Sequence, residues 1–463
     1  MGILQPYKKY YPVDYDYVDA LPEGWQLLPN IAIFRERIER GYENEELLSV
    51  TIGRGIIKQS ELDKKDSSTL DKSKYLLVYP DDLVYSMRFR QGASGYSNYK
   101  GIVSPACTVL KFRKNIKLNA RFYYYMFRTD FYKNYVERYA YGIADGQMPL
   151  RYVDFKRMYS IVPPLEIQNS IVVYLDNKIN KIEKFIRNKE RLISLFEKEK
   201  EVIINQVITK GIDSFKPMKD SGIEWIGAYP EHWQLLKLRF LGVCQNGINI
   251  SGEKFGYGSP FVSYSDVYKN MTIPEIIEGL VSSSSSDQIA FSVNEGDVFF
   301  TRTSETIEEI GFASTCLESK PNAVFAGFLI RFRPKKNILI KEYSKFFFRA
   351  IIHRAYFVKE MNLVTRASLS QELLKGLPVL IPPIEEQVRI AKYLEKELAK
   401  RNCIITKAQK EITAIKEYRE ALITDLVTGK REVPAAFSLT NPGSEVHLDH
   451  ETVDAYSVNL EDN

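Results

Sequence analysis

The chain repeats its own sequence once, and this limits its architecture more than any other feature. Pro22-Glu23-Gly24-Trp25-Gln26-Leu27-Leu28 returns 208 residues later as Pro230-Glu231-His232-Trp233-Gln234-Leu235-Leu236. Pro163-Pro164-Leu165-Glu166-Ile167-Gln168 returns 219 residues later as Pro382-Pro383-Ile384-Glu385-Glu386-Gln387. At the same offset Tyr174-Leu175 returns as Tyr393-Leu394, and Val207-Ile208-Thr209 as Leu426-Val427-Thr428. Between these anchors the two halves diverge in sequence and differ by eleven residues in length. The plan is variable domain, shared segment, variable domain, shared segment. Two copies are too few for a solenoid.

The shared segments predict long helices. An alternating four-three spacing places Leu175, Ile179, Ile182, Ile186, Ile193, Phe196, Ile203 and Val207 on one seam, with Lys189 and Lys200 in its gaps. The second copy holds the same register with Leu394, Leu398, Arg401, Ile405, Ile412, Ile415, Leu422 and Leu426, and with Ala408 and Arg419 in the gaps. Such a heptad seam predicts a coiled-coil pair. The alternative is two core helices in separate domains. Proline pairs precede both helices, where the missing N–H costs nothing, and Gly211 and Gly429 supply stops. The charged seam positions would weaken the pairing but fix its register and orientation. If a two-fold axis relates the halves, the helices run antiparallel. At ~44 residues each would span roughly 65 Å, with the variable domains toward opposite ends of a rod.

The expected fold class is α+β, with two α/β domains separated by two long antiparallel helices in a pseudo-two-fold repeat. The boundaries are 1–163 and 212–381 for the variable domains, 164–211 and 382–430 for the helices, and 431–463 for an acidic tail expected to be disordered. Strand candidates are Leu76-Leu77-Val78-Tyr79, Leu83-Val84-Tyr85, Thr108-Val109-Leu110, Val298-Phe299-Phe300 and Phe328-Leu329-Ile330-Arg331. Ser282 to Ser286 reads as an exposed loop. Phe122-Tyr123-Tyr124-Tyr125 and Phe346-Phe347-Phe348 read as core-facing helix segments rather than stacking platforms.

Charge points to a polyanion. The net charge is +5, from 64 bases against 59 acids. Seven of those acids lie beyond Arg431, where there is no Lys or Arg, so residues 1–431 carry 64 bases against 52 acids, or +12. A basic body favours nucleic acid, although many soluble proteins are mildly basic. No apolar run approaches the ~18 residues of a membrane span, and Met1 to Pro6 lack the basic and apolar pattern of a signal peptide. Cys107, Cys244, Cys316 and Cys403 are too scattered for a CxxC zinc site or a disulfide framework, which suits a reducing cytoplasm.

The sequence offers no catalytic apparatus of its own. It lacks a GxxxxGK[ST] loop, a GxGxxG turn after a strand, and HExxH or EF-hand patterns. His232, His353, His447 and His450 are its only histidines, and none has a Ser or Cys partner at triad spacing. Asp82 and Asp297 read as turn residues ahead of strands rather than as nuclease carboxylates. Base reading is better served. Arg88, Arg90, Gln91 and Lys100 follow the strand at Tyr85, and Gly296-Asp297 leads through Thr301 to Arg302, Thr303 and Ser304. Arg pairs bidentately with guanine, and Gln or Asn with adenine. A second pair of loops, before the long helices, contributes Gln147, Arg151, Arg366 and Ser368. For each of these residues the alternative is an ordinary solvated loop position.

These residues together resemble a known family, the specificity subunit of type I restriction–modification systems. Lys219-Asp220-Ser221-Gly222-Ile223-Glu224-Trp225-Ile226-Gly227 followed by Pro230-Glu231-His232-Trp233 is similar to its domain-opening motif. Pro382 to Gln387 with Ile390 and Leu394 is similar to its helix-opening motif, and Gly296-Asp297 to Thr303 to its strand and loop. The resemblance covers residues 7 to 430. The first half departs from the pattern at Val13-Asp14-Tyr15-Asp16-Tyr17 and at Ile167. The resemblance implies a non-catalytic, cytoplasmic subunit whose two target-recognition domains each read half of an asymmetric double-stranded DNA site. It also implies two docked modification subunits that use S-adenosylmethionine to methylate adenine, and restriction subunits that use ATP and Mg. No membrane partner is implied. The rival reading is the recognition part of a self-contained DNA methyltransferase or nuclease. A purely structural helix-pair protein would leave the basic body unexplained.

Overall fold

A computed structural model describes residues 4–437 apart from 16, 63–70, 115, 140–149, 214, 305–309 and 361–366. Gln147, Arg366 and the acidic tail beyond 437 therefore lie outside the described residues. The long helices span Leu165–Lys210 and Ile384–Val427. The chain divides inside both of them. One compact unit holds Met1–Arg187 with Glu411–Asn463, and the other holds Asn188–Lys410.

Both units are assembled on one plan. In the first, a four-stranded antiparallel sheet has the order Phe34–Glu36, Thr108–Phe112, Leu83–Tyr85, Ser94–Tyr96. In the second, the order is Gly242–Asn246, Leu329–Pro334, Val298–Thr301, Ala313–Thr315. Helices Ala120–Arg128 and Lys341–Arg349 hold the aromatic runs, with Phe122, Tyr123, Tyr125 and Phe346 to Phe348 buried in the cores. Gln26–Pro29 pairs with Tyr159–Val162, and Gln234–Lys237 with Pro378–Ile381. The start and the end of each variable domain are thus tied at the foot of its long helix.

The motif residues explain the recurrence. Gln168 and Gln387 are fully buried. Gln168 Oε1 accepts the N–H of Asn119, the N-cap of the first aromatic helix, at 3.0 Å, and its amide donates to Pro163 O at 2.7 Å. Gln387 Oε1 accepts the N–H of Ile340, the N-cap of the second, at 3.0 Å, and its amide donates to Pro382 O at 2.9 Å. Each glutamine satisfies an orphan helix donor while fixing the long helix to its domain. Gly211 and Gly429 follow the helix ends at φ +75°. A Cβ on Gly211 would meet the Trp233 ring at 3.3 Å, and one on Gly429 would meet Pro22 at 2.7 Å and Trp25 at 3.0 Å. The recurring Pro-Glu-x-Trp therefore caps a helix end, and both the left-handed turn and the close approach require glycine.

The helix segments within each unit run antiparallel. Ile171, Val172 and Leu175 share a core with Leu422, Ile423 and Leu426, and Ile204, Val207 and Ile208 share one with Ile390, Leu394 and Leu398. Leu175, Ile182, Ile186, Leu394, Leu398, Ile405, Ile412 and Leu422 are buried, and Ile179, Ile193, Phe196 and Ile415 are half-buried. Arg401 answers its polar seam position by donating to Glu199 at 2.6 Å and Glu397 at 2.8 Å, and Lys200 donates to Glu197 at 2.7 Å.

Two local expectations need correction. The Ser282–Ser286 run is not all loop, because Ser284 caps a helix over Ser285–Ala290 through a reciprocal bond set with Asp287. The strand placed at Phe328 begins one residue later, and Phe328 occupies the turn before it.

Candidate nucleic-acid interface

Each sheet begins its central strand with a buried carboxylate that sets the loop beyond it. Asp297, fully buried, accepts from Arg333 Nε and Nη2 at 2.6 Å each and from the Asn294 N–H at 2.8 Å. Asp82 accepts from Arg37 Nε at 2.9 Å and Nη2 at 3.0 Å and from the Tyr79 N–H at 2.8 Å. The clamps come from different strands. Register places Lys111 opposite Asp82 where Arg333 faces Asp297, and Arg37, just past Phe34–Glu36, does the work in the first unit. Burial keeps the Asp82 carboxyl above its ordinary range despite the Arg37 bonds. Both aspartates are spent on architecture, as expected of turn residues.

The strand after Asp297 delivers Arg302. Its N–H donates to Phe328 O at 3.0 Å, and its carbonyl accepts from Leu369 N–H at 2.7 Å. Thr303 and Ser304 then pair with Ser368 and Ala367 in a two-stranded ladder. The two segments marked as candidate readers in the second domain are therefore one structure, although 64 residues separate Ser304 from Ser368. Ser368 is exposed and Arg302 half-exposed, with no ion pair or side-chain hydrogen bond to Arg302 among the described residues. A guanidinium without a described partner, on a hydrogen-bonded backbone, suits a base contact.

In the first domain Arg88 is exposed at the start of a helical turn, Phe89–Gln91, whose Phe89 is buried. Arg90 donates to Glu137 at 2.5 Å, and Lys100 is paired with Glu45. Exposed pairs of this kind contribute about 0 to 1 kcal/mol, so either cation can exchange its carboxylate for a phosphate cheaply. Gln91 is exposed, and Arg151 is exposed at the N-cap of a short helix, Tyr152–Phe155, with no capping bond from its side chain.

Sequence reasoning missed several residues at these loops. Aligning the sheets by register sets Leu83 against Val298, and therefore Met87 against Arg302. Met87 is 40% exposed. Arg128 and Arg349 end the two aromatic helices, and among the described residues their side chains donate to backbone carbonyls of the surrounding segments. Arg128 reaches Gly92, Ser94, Ile52 and Gly53, and Arg349 reaches Val267, Tyr268, Asn270 and Ala313. Their signal was present in the sequence as an arginine closing both aromatic runs.

A cavity of about 770 Å³ in the first unit lies beside Gln91, but it is not a polyanion site. Its bases Arg121, Arg128, Lys133 and Arg419 face the acids Asp130, Asp176, Glu183 and Glu420. Asp176 is engaged by Arg121 at 2.7 Å and Tyr125 at 2.5 Å. Among the described histidines, His232 Nε2 lies 2.7 Å from Glu386 Oε2 and His353 Nε2 lies 2.7 Å from Phe347 O. The described residues hold no His/Cys/Asp/Glu group able to bind a metal, and no described helix is long and apolar enough to cross a membrane.

Replacing Arg302 by Ala is expected to cost about 1 to 3 kcal/mol against the preferred base pair and to relax discrimination there. A phosphate anchor would instead weaken binding to all sequences and lower the salt slope by about one unit. Titrations of single-base variants at several salt concentrations separate the two, and an unchanged order of preference removes Arg302 from the readers.

The chain matches the family model for the type I restriction modification DNA specificity domain over residues 42–191 and 231–414. It is 21% identical over 447 residues to the type I restriction enzyme EcoKI specificity subunit of Escherichia coli K12, covering 91% of this chain and 92% of that one. A putative MjaX specificity subunit of Methanocaldococcus jannaschii is 27% identical over 207 residues, 44% of this chain and 47% of that one. Among solved structures, a chain from a study of complex assembly and conformational transition of the type I R-M system superposes with a TM-score of 0.67 at 14% identity, over 89% of this chain and 99% of that chain. The HsdS subunit of Thermoanaerobacter tengcongensis superposes with a TM-score of 0.50 at 14% identity, over 89% and 98%.

Proposed function

Because the chain belongs to the type I restriction–modification DNA specificity family, we propose that it directs such a complex to an asymmetric bipartite site, one half read by each variable domain. The observation that carries this reading is a shared frame with unlike readers. The same four-strand order and the same buried aspartate support Met87 in one domain and Arg302 in the other. An exposed thioether and a guanidinium cannot favour the same base edge, so the half-sites differ.

In this reading the chain is not itself catalytic. Its partners are two modification subunits, which bring S-adenosylmethionine and methylate adenine, and restriction subunits that use ATP and Mg. Docking is supported by apolar residues left on the long helices. Phe185 is 39% and Leu195 55% exposed, and Leu192 is half-buried. Ile204 also lies off the heptad seam but is buried in the second core.

The test is to express the chain with modification subunits and map methylated adenines, then to exchange residues 212–381 for the corresponding domain of another family member. One half-site is expected to change while the other is kept. A change in both would end the idea of independent readers. Methylation that does not depend on this chain would end the proposed function.

A further inference from the structure

Phe328 is a large apolar side chain placed where burial would be expected and withheld from it. It is 62% exposed. Its backbone is nonetheless tightly held. Leu329 N–H closes the turn on Ala326 O at 3.0 Å, Gly327 N–H donates to Ile248 O at 2.8 Å, and Gly247 N–H donates to Leu329 O at 3.2 Å. A Cβ on Gly327 would fall 2.0 Å from Asn249 Oδ1, and one on Gly247 would fall 2.1 Å from Ala326 O. The Gly247 approach is to backbone and tolerates no side chain, so this glycine brings the strands together beside the turn that carries the ring.

The ladder decides what stands beside it. Thr301 pairs with Leu329, and one step beyond the ladder the Arg302 N–H donates to Phe328 O at 3.0 Å, so the two residues are backbone neighbours. The half-exposed Arg302 and the exposed Phe328 thus leave neighbouring backbone positions, with the Thr303–Ser368 pair next along the chain.

Resting on the reading of this chain as a DNA-recognition subunit, we infer that Phe328 is a specificity-determining residue of the second domain that contacts the 5-methyl group of a thymine beside the base addressed by Arg302. The major groove presents both partners of such a pair, the guanine acceptors for Arg and the thymine methyl for an apolar side chain. Apolar wedges that unstack base steps work from the minor groove, which lacks the guanine O6 and N7 acceptors that Arg302 suits. In the first domain the equivalent pair is Met87 opposite Ala106, so the ring belongs to the second half-site alone.

The test uses the full chain assembled with its modification subunits and duplexes carrying the site mapped by adenine methylation. Each thymine of the second half-site is replaced singly by deoxyuridine, which removes only the methyl group. The wild-type complex is expected to lose affinity about four-fold at one thymine, as for one buried methyl group. Phe328→Ala should bind thymine and uracil duplexes alike at that position while keeping its first half-site, and Phe328→Leu should retain part of the distinction. The melting temperature of Phe328→Ala is expected to match wild type, since the ring is exposed. If Phe328→Ala still distinguishes thymine from uracil, or loses affinity equally for specific and random DNA, the inference is overturned. A wild-type complex indifferent to every thymine-to-uracil replacement also overturns the inference, whereas one that binds the mapped site no better than random DNA overturns the DNA-reading function beneath it.

Discussion

Replacing Arg333 by Ala is expected to lower the stability of the second unit by about 3 to 5 kcal/mol, because it strands a buried carboxylate. Asp297 has no solvent-exposed surface, and Arg333 donates to both of its oxygens at 2.6 Å. The nearby Arg331 cannot take over. Its guanidinium donates to Ser292 O at 2.6 Å and is also bonded to Gln245 Oε1, and burial pushes its pKa down to about 10. The remaining partner of Asp297, the Asn294 N–H at 2.8 Å, does not neutralise a charge. The measurement is urea unfolding followed by Trp225 and Trp233 fluorescence in a Trp25→Phe background. An unchanged midpoint would mean that water or a shifted side chain compensates, and that the clamp does not set the strand leading to Arg302.

The second large effect is expected at Trp233. Truncation to Ala should cost about 3 to 5 kcal/mol, as for other buried tryptophans. Trp233 is 1% exposed, and its ring closes over Gly211 at the end of the first long helix. The damage should therefore extend beyond a lost core contact. Backbone amides over Ile204 to Gly211 should exchange faster, because the ring that seals the helix stop is gone. A loss of global stability with unchanged protection of those amides would show that Trp233 serves the core and not the helix end. Trp25, 8% exposed and facing Gly429, should behave in the same way in the first unit.

The repeat and the long helices were legible because their signals are local and periodic. A four-three spacing needs no knowledge of distant residues, and the bounds Leu165–Lys210 and Ile384–Val427 follow the proline pairs and glycines that mark them. The roles of Asp82 and Asp297 were legible as turn chemistry. The strand boundary at Phe328 was not, since an apolar run reads as a strand until a turn closes ahead of it. Ile204 is off the heptad seam and yet buried, for a related reason. Helix spacing says which face a residue lies on, but not how far up that face a domain core reaches.

By itself, then, the sequence determined the duplicated plan, the two heptad-bearing helices and the kinship carried by motifs such as Pro382 to Gln387. It also determined the chemistry available to read DNA. The tertiary structure decided which of those residues stand together. Arg302 is joined to Phe328 and Leu369 only through backbone bonds between distant segments, and Arg37 and Arg333 reach equivalent aspartates from different segments. Strand pairing is non-local, and shifting its register by one residue turns every side chain to the other face. A pattern with a period of two residues along the chain cannot specify that choice. The packed sheet specifies it, by burying one face and leaving the other to solvent.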